Sequence, residues 1–508
     1  MIKWLKGEIA KGAVDGLKEG IQSLEKKDLE GGLANFGRAL KAAPDRSDDK
    51  YRALLGLTVV SFEAKEYGEA IDYCMLCLDS SAPFSRKIRV PIALMLGISS
   101  FEEGRKNKSK IQLGTAVTYL EIVGASEEID LKIDAKKYLA KIYVLRGDEK
   151  GTSAKRECPE YEKAVTALKC AKNLAVEIEN KLKIAEIQLE LGKVQTKRQN
   201  YTAAYTELKE ALEYATQKGH TELIKRSAFY VGQVCLLKAF KNYDPQHRLV
   251  DTAIKRFSQV EQLSVSRSNE HSTAIEGVGD CLMLKATHFE VYLGNAKFEA
   301  MLKDANKKYE AAGKGTANAR PSKKGDILNG ILELYKSLKN EASAVEANLG
   351  LARKCYEPLD SLPDYEPNLR LKLLSNLIIA KLVWQKAQNL AIKGLTEDYT
   401  KGLKKQKVSL AELGVLLAKK LKEKQEKLRE AGSDVRTEDV ATIFLREKAD
   451  QLKENTPQEG NTPREKTLKD IVKDIDLYQK SANEFWNHVS ALEVELGIER
   501  QTDVYLQA

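Results

Sequence analysis

The chain is 508 residues long, and 43% of its residues are hydrophobic and 31% charged. This balance excludes a wholly disordered chain and predicts a folded, well-solvated protein. Its 83 lysines and arginines against 74 aspartates and glutamates give a net charge of +9, which over this length is too small to require a nucleic acid or an anionic membrane as partner.

The cysteines and prolines indicate the redox compartment and the fold class. The 7 cysteines are odd in number and form no disulfide framework, which predicts free thiols in a reducing compartment. The 11 prolines leave room for long helices. Strand signals are nearly absent, and apolar residues recur at every third or fourth position, so the sequence predicts an all-α fold.

The N-terminal residues carry interspersed charges. Residues 1–11 therefore form no apolar signal core, and we expect a cytoplasmic protein without a transmembrane segment. Residues 1–9 are also amphipathic, and two placements remain open for them, on a membrane surface or on the first repeat. Gly7 and Gly12 weaken a free surface helix, which favours packing on the repeat.

Residues 24–44 contain a spaced set of small and large side chains. Gly32 is followed by an aromatic Phe36, a small Ala39 and a closing Pro44. Small residues let two helices approach closely, and a large side chain between them fills the gap. This pattern resembles the second half of a tetratricopeptide repeat.

A second match begins at Gly192. It continues through Tyr201, Ala204, Leu208 and Ala211, and Gly192 and Ala204 are separated by twelve positions, the spacing of the close-contact residues in that family. The resemblance implies antiparallel helix pairs stacked into a right-handed superhelix, and we assign it to residues 1–312.

The repeat length departs from the family. Gly32 to Ala70 and Ala164 to Ala204 span 38 and 40 positions, whereas a tetratricopeptide unit has about 34 residues and armadillo or HEAT units have about 40–47. The glycine, aromatic and alanine details favour the tetratricopeptide interpretation, with the additional length in loops and longer helices.

The resemblance also implies a groove lined by the first helix of each pair, which receives a segment of another protein. Ala140, Gly192 and Gly232 are the close-contact positions, and helical spacing from them predicts the residues that face inward. These residues are Lys137, Lys141, Lys193, Lys197, Arg226 and Gln233. Because each lysine pair is four residues apart and shares one helix face, we predict an acidic protein segment or a carboxylate as ligand. An ordinary solvated face is the alternative.

Two apolar-poor stretches divide the rest of the chain, a basic loop at 313–325 and a linker at 455–464. Residues 326–454 are predicted to form further helical pairs or a helical bundle. Within them, residues 401–429 are rich in lysine, but glutamates interrupt the run. We interpret this stretch as a solvated helix and not as a nucleic-acid surface.

Residues 465–508 are predicted to begin with one long helix that has a seven-residue apolar repeat. The first series is Leu468, Ile475, Ala482, Val489 and Leu496, and the second is Ile471, Tyr478, Phe485 and Leu492. Such a pattern is typical of a coiled-coil dimerisation helix, or of a terminal helix packed on the solenoid as its cap. The bulk of Tyr478 and Phe485 favours docking, and self-association through this helix remains the alternative.

Chemical motifs are missing from the sequence. The 5 histidines have no metal-ligand spacing. Cys74 and Cys77 have the spacing of a zinc or redox motif, but no second pair completes it, and both fall at repeat packing positions. We therefore expect no catalytic residue, no metal and no cofactor.

The sequence thus predicts a non-enzymatic scaffold or adaptor for protein partners, as a subunit of a larger assembly. The alternative is an RNA-binding helical-repeat protein, which would require a continuous basic groove and salt-sensitive binding.

Overall fold

The computed structural model describes residues 2–12, 15–45, 47–79, 84–149, 158–241, 248–266, 268–289, 291, 293, 295–313, 323–340, 343–360, 366–402, 410–430, 440–454 and 463–496. All regular secondary structure in these residues is α-helical, and no strand occurs among them. The predicted all-α fold is confirmed. The chain forms two compact units, residues 1–234 and 235–508.

The first unit consists of helices joined mostly by short turns, and its last helix continues past residue 234. The helices are α1 (Ile2–Ile9), α2 (Asp15–Glu25), α3 (Leu29–Ala42), α4 (Asp48–Ala64), α5 (Tyr67–Leu78), α6 (Arg86–Lys106), α7 (Lys110–Gly124), α8 (Ile129–Asp148), α9 (Pro159–Glu177), α10 (Lys181–Lys197), α11 (Tyr201–Lys218) and α12 (Thr221–Lys241).

One turn geometry recurs between consecutive helices of this unit. A non-glycine residue with positive φ ends the turn at Lys27, Lys65, Lys108, Glu179 and Gln199. The residue that follows is the N-cap of the next helix, and the caps of α3 and α10 both accept a hydrogen bond from a backbone N–H of the first turn. A left-handed residue next to a capping residue reverses the chain tightly, so neighbouring helices pack antiparallel.

Small residues lie where these helices approach each other. A Cβ on Gly192 would lie 2.3 Å from Cγ of Leu208, and one on Gly32 would lie 3.2 Å from Cγ2 of Val60. Ala204 is fully buried. Consecutive helices pack along the chain, and α2 also contacts α4 as α6 contacts α8. The predicted helical repeat is therefore present, whereas its assignment to the tetratricopeptide class stays a prediction.

The apolar face of α1 is packed on the repeats. Leu5 and Ile9 are fully buried in a core cluster that also contains Phe36 and Leu55. This placement agrees with the packed alternative for the N-terminal residues. No helix in the described ranges is both long enough and apolar enough to cross a membrane.

The second unit begins with further antiparallel pairs and ends with longer helices. They are α13 (Arg248–Leu263), α14 (Asn269–Phe289), α15 (Ala296–Gly313), α16 (Lys323–Lys339), α17 (Val345–Asp360), α18 (Glu366–Gly402), α19 (Leu410–Glu430), α20 (Val440–Glu454) and α21 (Pro463–Leu496). The predicted loop at 313–325 and linker at 455–464 lie mostly outside the described residues, and the predicted domain boundaries remain predictions.

Helix α18 is the centre of the second unit. It contacts α14, α16, α17, α20 and α21, and from Leu377 to Val383 nearly every residue is buried. A helix that is apolar on all sides needs partners on all sides. Among the described helices after residue 325, α16, α17, α19, α20 and α21 all contact α18, and we call this group the α18 bundle.

The long last helix docks on this bundle. Five of its heptad residues, Ile475, Tyr478, Ala482, Phe485 and Val489, are buried, and α21 packs mainly on α18. The described part of the apolar stripe thus packs on α18, and the capping of the solenoid by this helix stays a prediction. Self-association through this helix is not shown.

Candidate functional site

A cleft of the first unit has a volume of about 410 Å³ and lies along α6, α8, α10 and α12. These are the first helices of four successive pairs, which is the layer that the sequence predicts to line a groove. The floor is apolar and is formed by Phe101, Ala140, Val144, Leu145, Leu168 and Val194.

Helical spacing brings the basic side chains to this cleft. Lys137 and Lys141 project from α8, and Lys193 and Lys197 project from α10, each pair separated by one turn. Ala140 of α8 and Val194 of α10 are buried in one core cluster. Both helices pack on α9, which therefore holds the two lysine rows side by side.

The structure places five of the six predicted residues around this cleft: Lys137, Lys141, Lys193, Lys197 and Arg226. Gln233 is partly buried and is not part of its lining. Whether these residues hold a partner stays a prediction.

The cleft also contains residues that sequence reasoning missed. Arg105 adds a sixth cation, and Glu102, Asp148 and Glu190 add three carboxylates, which leaves an excess of three positive charges. The carboxylates come from α6, α8 and α10, and the approach of Asp148 to Lys197 and of Glu190 to Arg226 depends on tertiary packing. The Glu102–Arg105 and Glu190–Lys193 pairs were open to detection, since an i, i+3 spacing lies on one helix face.

Most of the cations are already paired within the cleft. Lys193 lies 2.8 Å from a carboxylate oxygen of Glu190, and Arg226 lies 2.9 Å from the other. Lys197 lies 2.6 Å from Asp148. These internal pairs fix the side chains and reduce the charge available to a ligand.

The other cations of the rim are paired as well. Lys137 lies 3.3 Å from Glu186, and Arg105 lies 2.6 Å from Glu102. Lys141 is therefore distinct, because its ammonium forms no ion pair with a described residue.

The Lys141 ammonium lies 4.0 Å from the ring centroid of Tyr138. Burial against the cleft wall lowers the pKa of Lys141, Glu190 and Glu102 oppose the effect, and the cations of Lys137 and Lys193 lower it further. An anion placed beside Lys141 would relieve the repulsion among these three ammonium groups.

The described residues show neither a reactive cysteine pair nor a metal site. Burial raises the pKa of the Cys74 and Cys77 thiols, that of Cys77 to about 12, so both are unreactive packing residues. Within the described ranges, no group of three or more His, Cys, Asp or Glu side chains is placed to hold a metal ion.

The second basic stretch, residues 401–429, has described side chains only from residue 418 onward. There Lys424 lies 2.7 Å from Glu447 of α20, and Lys420 lies 3.5 Å from Glu423. The described part of this stretch therefore alternates in charge, as expected of a solvated helix.

No protein-family model matches the chain, and no curated protein sequence is similar to it. Among solved structures, a monomeric mutant of IFIT1 with m7Gppp-AAAA is 14% identical with a TM-score of 0.35, covering 97% of this chain and 95% of that one. A human IFIT1 dimer with m7Gppp-AAAA is 14% identical with a TM-score of 0.33, covering 97% and 94%.

A circular tandem repeat protein with a novel repeat topology is 13% identical with a TM-score of 0.18, covering 98% of each chain. At such scores these likenesses carry no argument about fold or ligand. The function has to be inferred from the residues of the chain itself.

Proposed function

We propose that the protein is a non-enzymatic scaffold whose α6–α8–α10–α12 cleft binds an acidic segment of a partner protein. The observation that carries the proposal is the excess of three positive charges over an apolar floor, where Lys141 forms no ion pair with a described residue and lies on the Tyr138 ring. A peptide with an acidic side chain next to an apolar one matches both features, because the carboxylate meets Lys141 and the apolar group covers Val144 and Leu145.

The same geometry is a poor match to RNA. A nucleic-acid groove needs cations free to track successive phosphates and aromatic faces free to stack on bases. Here Glu190 forms ion pairs with Lys193 and Arg226, and Asp148 forms an ion pair with Lys197, so these cations are not free for phosphates. The rings of Tyr138 and Tyr230 are covered by the ammonium groups of Lys141 and Lys193, at 4.0 and 5.3 Å.

The test uses two labelled probes of equal length, a peptide that alternates glutamate with leucine and a single-stranded RNA. We expect the full chain to bind the peptide more tightly than the RNA by fluorescence anisotropy. Lys141→Glu replaces the cation with an anion, so peptide affinity should fall at least about tenfold, the equivalent of about 1.4 kcal/mol. The matched control is Lys169→Glu on α9, where the lysine is also exposed but lies outside the cleft.

Lys141→Arg gives a second readout with a defined sign. Only protonated Lys141 attracts the carboxylate, and the pKa of Lys141 is lowered. As the pH rises, the wild type should therefore lose peptide affinity at a lower pH than it would if this lysine had an ordinary pKa. Arginine stays protonated throughout this range, and this variant should keep its affinity as the pH rises. Equal peptide binding by the wild type and Lys141→Glu would refute the proposal, as would tighter binding of the RNA that is lost in Lys141→Glu.

A further inference from the structure

Helix α7 presents an uncharged stripe to solvent. Ile111, Thr115, Thr118 and Ile122 lie within about 60° of one another around the helix axis. Ile111 is 83% exposed and Ile122 is 52% exposed. Two isolated exposed isoleucines would be ordinary, but here they end a continuous row on one helix.

The polar atoms of this stripe are already satisfied. The Thr115 hydroxyl donates to the Ile111 carbonyl at 3.2 Å, and the Thr118 hydroxyl donates to the Gly114 carbonyl at 3.3 Å. The threonine methyl groups are thereby left for outside contacts. A Cβ on Gly114 would meet nothing within 4 Å, so the surface is open there.

Helix α5 extends the stripe into a patch. Met75 is 49% exposed. The Tyr119 hydroxyl of α7 donates to Sδ of Met75 at 3.6 Å, which joins the two helices. The patch therefore consists of Met75, Ile111, Thr115, Thr118, Tyr119 and Ile122.

The order of residues along the stripe is symmetric about its midpoint. Read in either direction it is Ile, Thr, Thr, Ile, with the same spacings of four, three and four residues. If a second copy of α7 packs antiparallel on the first, Ile111 meets Ile122 and Thr115 meets Thr118, twice each. A two-fold interface requires this self-complementarity.

The charges beside the stripe are also complementary to themselves. Lys110 and Glu121 are exposed, lie on the same flank of α7, and are separated by about 16 Å along its axis. Neither forms an ion pair with a described residue. A two-fold axis perpendicular to the antiparallel helices keeps each flank on its own side, so Lys110 of one copy faces Glu121 of the other at both ends.

We propose that this patch is the interface of a two-fold homodimer in which α7 packs antiparallel on α7 of a second copy. The interface lies apart from the cleft and is independent of the function proposed for it. Because one helix face and one neighbouring methionine make a limited interface, we expect a weak dimer.

The sharpest test reverses the flanking charges in the full chain. Lys110→Glu places two glutamates opposite each other at each end, and Glu121→Lys places two lysines there. Each variant alone should dimerise at least about tenfold more weakly than the wild type by sedimentation equilibrium. An equimolar mixture of the two should form a heterodimer, because every facing pair is then of opposite charge. Failure of the mixture to associate beyond its components would overturn the antiparallel arrangement.

The apolar part is tested with Ile122→Glu against Val176→Glu. Both positions are about half exposed, and Val176 lies on α9, so neither change disturbs a core. Ile122→Glu should be monomeric at concentrations where Val176→Glu still dimerises, and circular dichroism checks that both remain folded. A wild-type chain that stays monomeric at about 100 μM, or a dimer that survives Ile122→Glu, would refute the proposal.

Discussion

At the scale of single residues, Phe36 shows how the spacing between helices is set. Its ring is fully buried and lies between Gly20 of α2 and Gly56 of α4. A Cβ on either glycine would lie 2.5 Å from a ring carbon. One aromatic side chain on a second helix thus fixes the approach of two consecutive first helices, because only glycine leaves room for it.

This arrangement predicts opposite effects for two glycine substitutions. Gly56→Ala forces the buried ring to move, and overpacking of this kind costs about 1–3 kcal/mol. That exceeds the roughly 1 kcal/mol that alanine gains over glycine within a helix. Gly37→Ala on α3 meets nothing within 4 Å and should gain stability.

Urea denaturation followed by circular dichroism measures both changes. We expect the unfolding midpoint to fall for Gly56→Ala and to rise for Gly37→Ala. A rise for both variants would mean that the ring of Phe36 can be displaced at little cost.

A second feature at this scale is an aspartate whose carboxylate bonds to side chains of two other helices. In the first unit the Tyr161 hydroxyl donates to Asp148 at 2.7 Å, and Lys197 lies 2.6 Å from the same carboxylate. The Tyr161 ring packs on the glycine that precedes the aspartate, Gly147. The tyrosine, the aspartate and the lysine come from α9, α8 and α10.

The second unit contains the same arrangement. The Tyr309 hydroxyl donates to Asp280 at 2.7 Å, Lys324 lies 2.9 Å from that carboxylate, and the ring packs on Gly279. Burial opposes protonation of Lys324, but Asp280 and Glu276 outweigh it and raise its pKa. The recurrence shows that the two pairs share a polar Tyr–Asp–Lys contact as well as apolar packing. In both, the lysine comes from the first helix of the following pair.

At the scale of helices, α21 illustrates why a heptad pattern does not identify its partner. The seven-residue stripe shows that one face must be covered, and here α18 covers it. A polar contact fixes the position of the helix, since the Asn348 amide donates to the Tyr478 hydroxyl at 2.7 Å, across 130 residues of sequence. Both residues are fully buried.

Removal of this hydroxyl gives the second prediction. Tyr478→Phe leaves the buried Asn348 amide without its acceptor, which costs about 1–3 kcal/mol. Tyr205→Phe on α11 is the control, because its hydroxyl bonds to no described residue. Thermal unfolding should show a lower midpoint for Tyr478→Phe alone, whereas equal midpoints for both variants would mean that water replaces the hydroxyl.

The central helix α18 carries a lysine whose charge is costly. Burial lowers the pKa of Lys381 from 10.5 to about 8. Between these two values the unfolded chain binds more protons at this site than the folded chain does, so the stability contribution of Lys381 rises with pH across this window. Below pH 8 the full penalty applies, up to about 3 kcal/mol.

Lys381→Met should therefore raise the free energy of unfolding at pH 7 and remove the rise between pH 8 and 10. The exposed Lys339→Met on α16 serves as control and should leave both quantities unchanged. Guanidinium unfolding at a series of pH values measures the difference between each variant and the wild type. A Lys381→Met variant that loses stability at pH 7 would show that the lysine's contacts outweigh the cost of its charge.

What the sequence could predict at this scale follows from how local each signal is. The close contact at Gly192 was predicted from a spacing within one hairpin, but the structure brings Leu208 to it, one turn beyond the Ala204 that the spacing names. The lysine rows of α8 and α10 were found because each is an i, i+4 pair. The central position of α18 was not foreseen, since an apolar run shows that a helix is buried without showing which helices surround it.

One acid of the cleft, Asp148, was missed for the same reason, whereas Glu102 and Glu190 each lie three residues from a cation of their own helix and were open to detection. Asp148 is 49 residues from Lys197, and only the stacking of helix pairs brings the two together. The sequence thus predicted the positive charge of the cleft and overestimated how much of it is free.

At the scale of the whole molecule, packing between neighbouring helices dominates the first unit. Its core clusters run in chain order, from one around Phe36 through one around Leu120 to one around Tyr161. A repeat array of this kind derives its stability from each unit and its interfaces with the next. Both the proposed cleft and the proposed dimer patch are built from residues before 235.

The last prediction follows from this division. A fragment of residues 1–241, which ends with α12, should fold without the rest of the chain, because its core clusters are formed within it. We expect a helical circular dichroism spectrum, a cooperative urea transition, and the same affinity for the glutamate–leucine peptide as the full chain. The fragment should also dimerise like the full chain and lose this in Ile122→Glu. A folded fragment that binds the peptide but stays monomeric would place self-association in the second unit, while a fragment without a cooperative transition would show that the first array needs the bundle around α18.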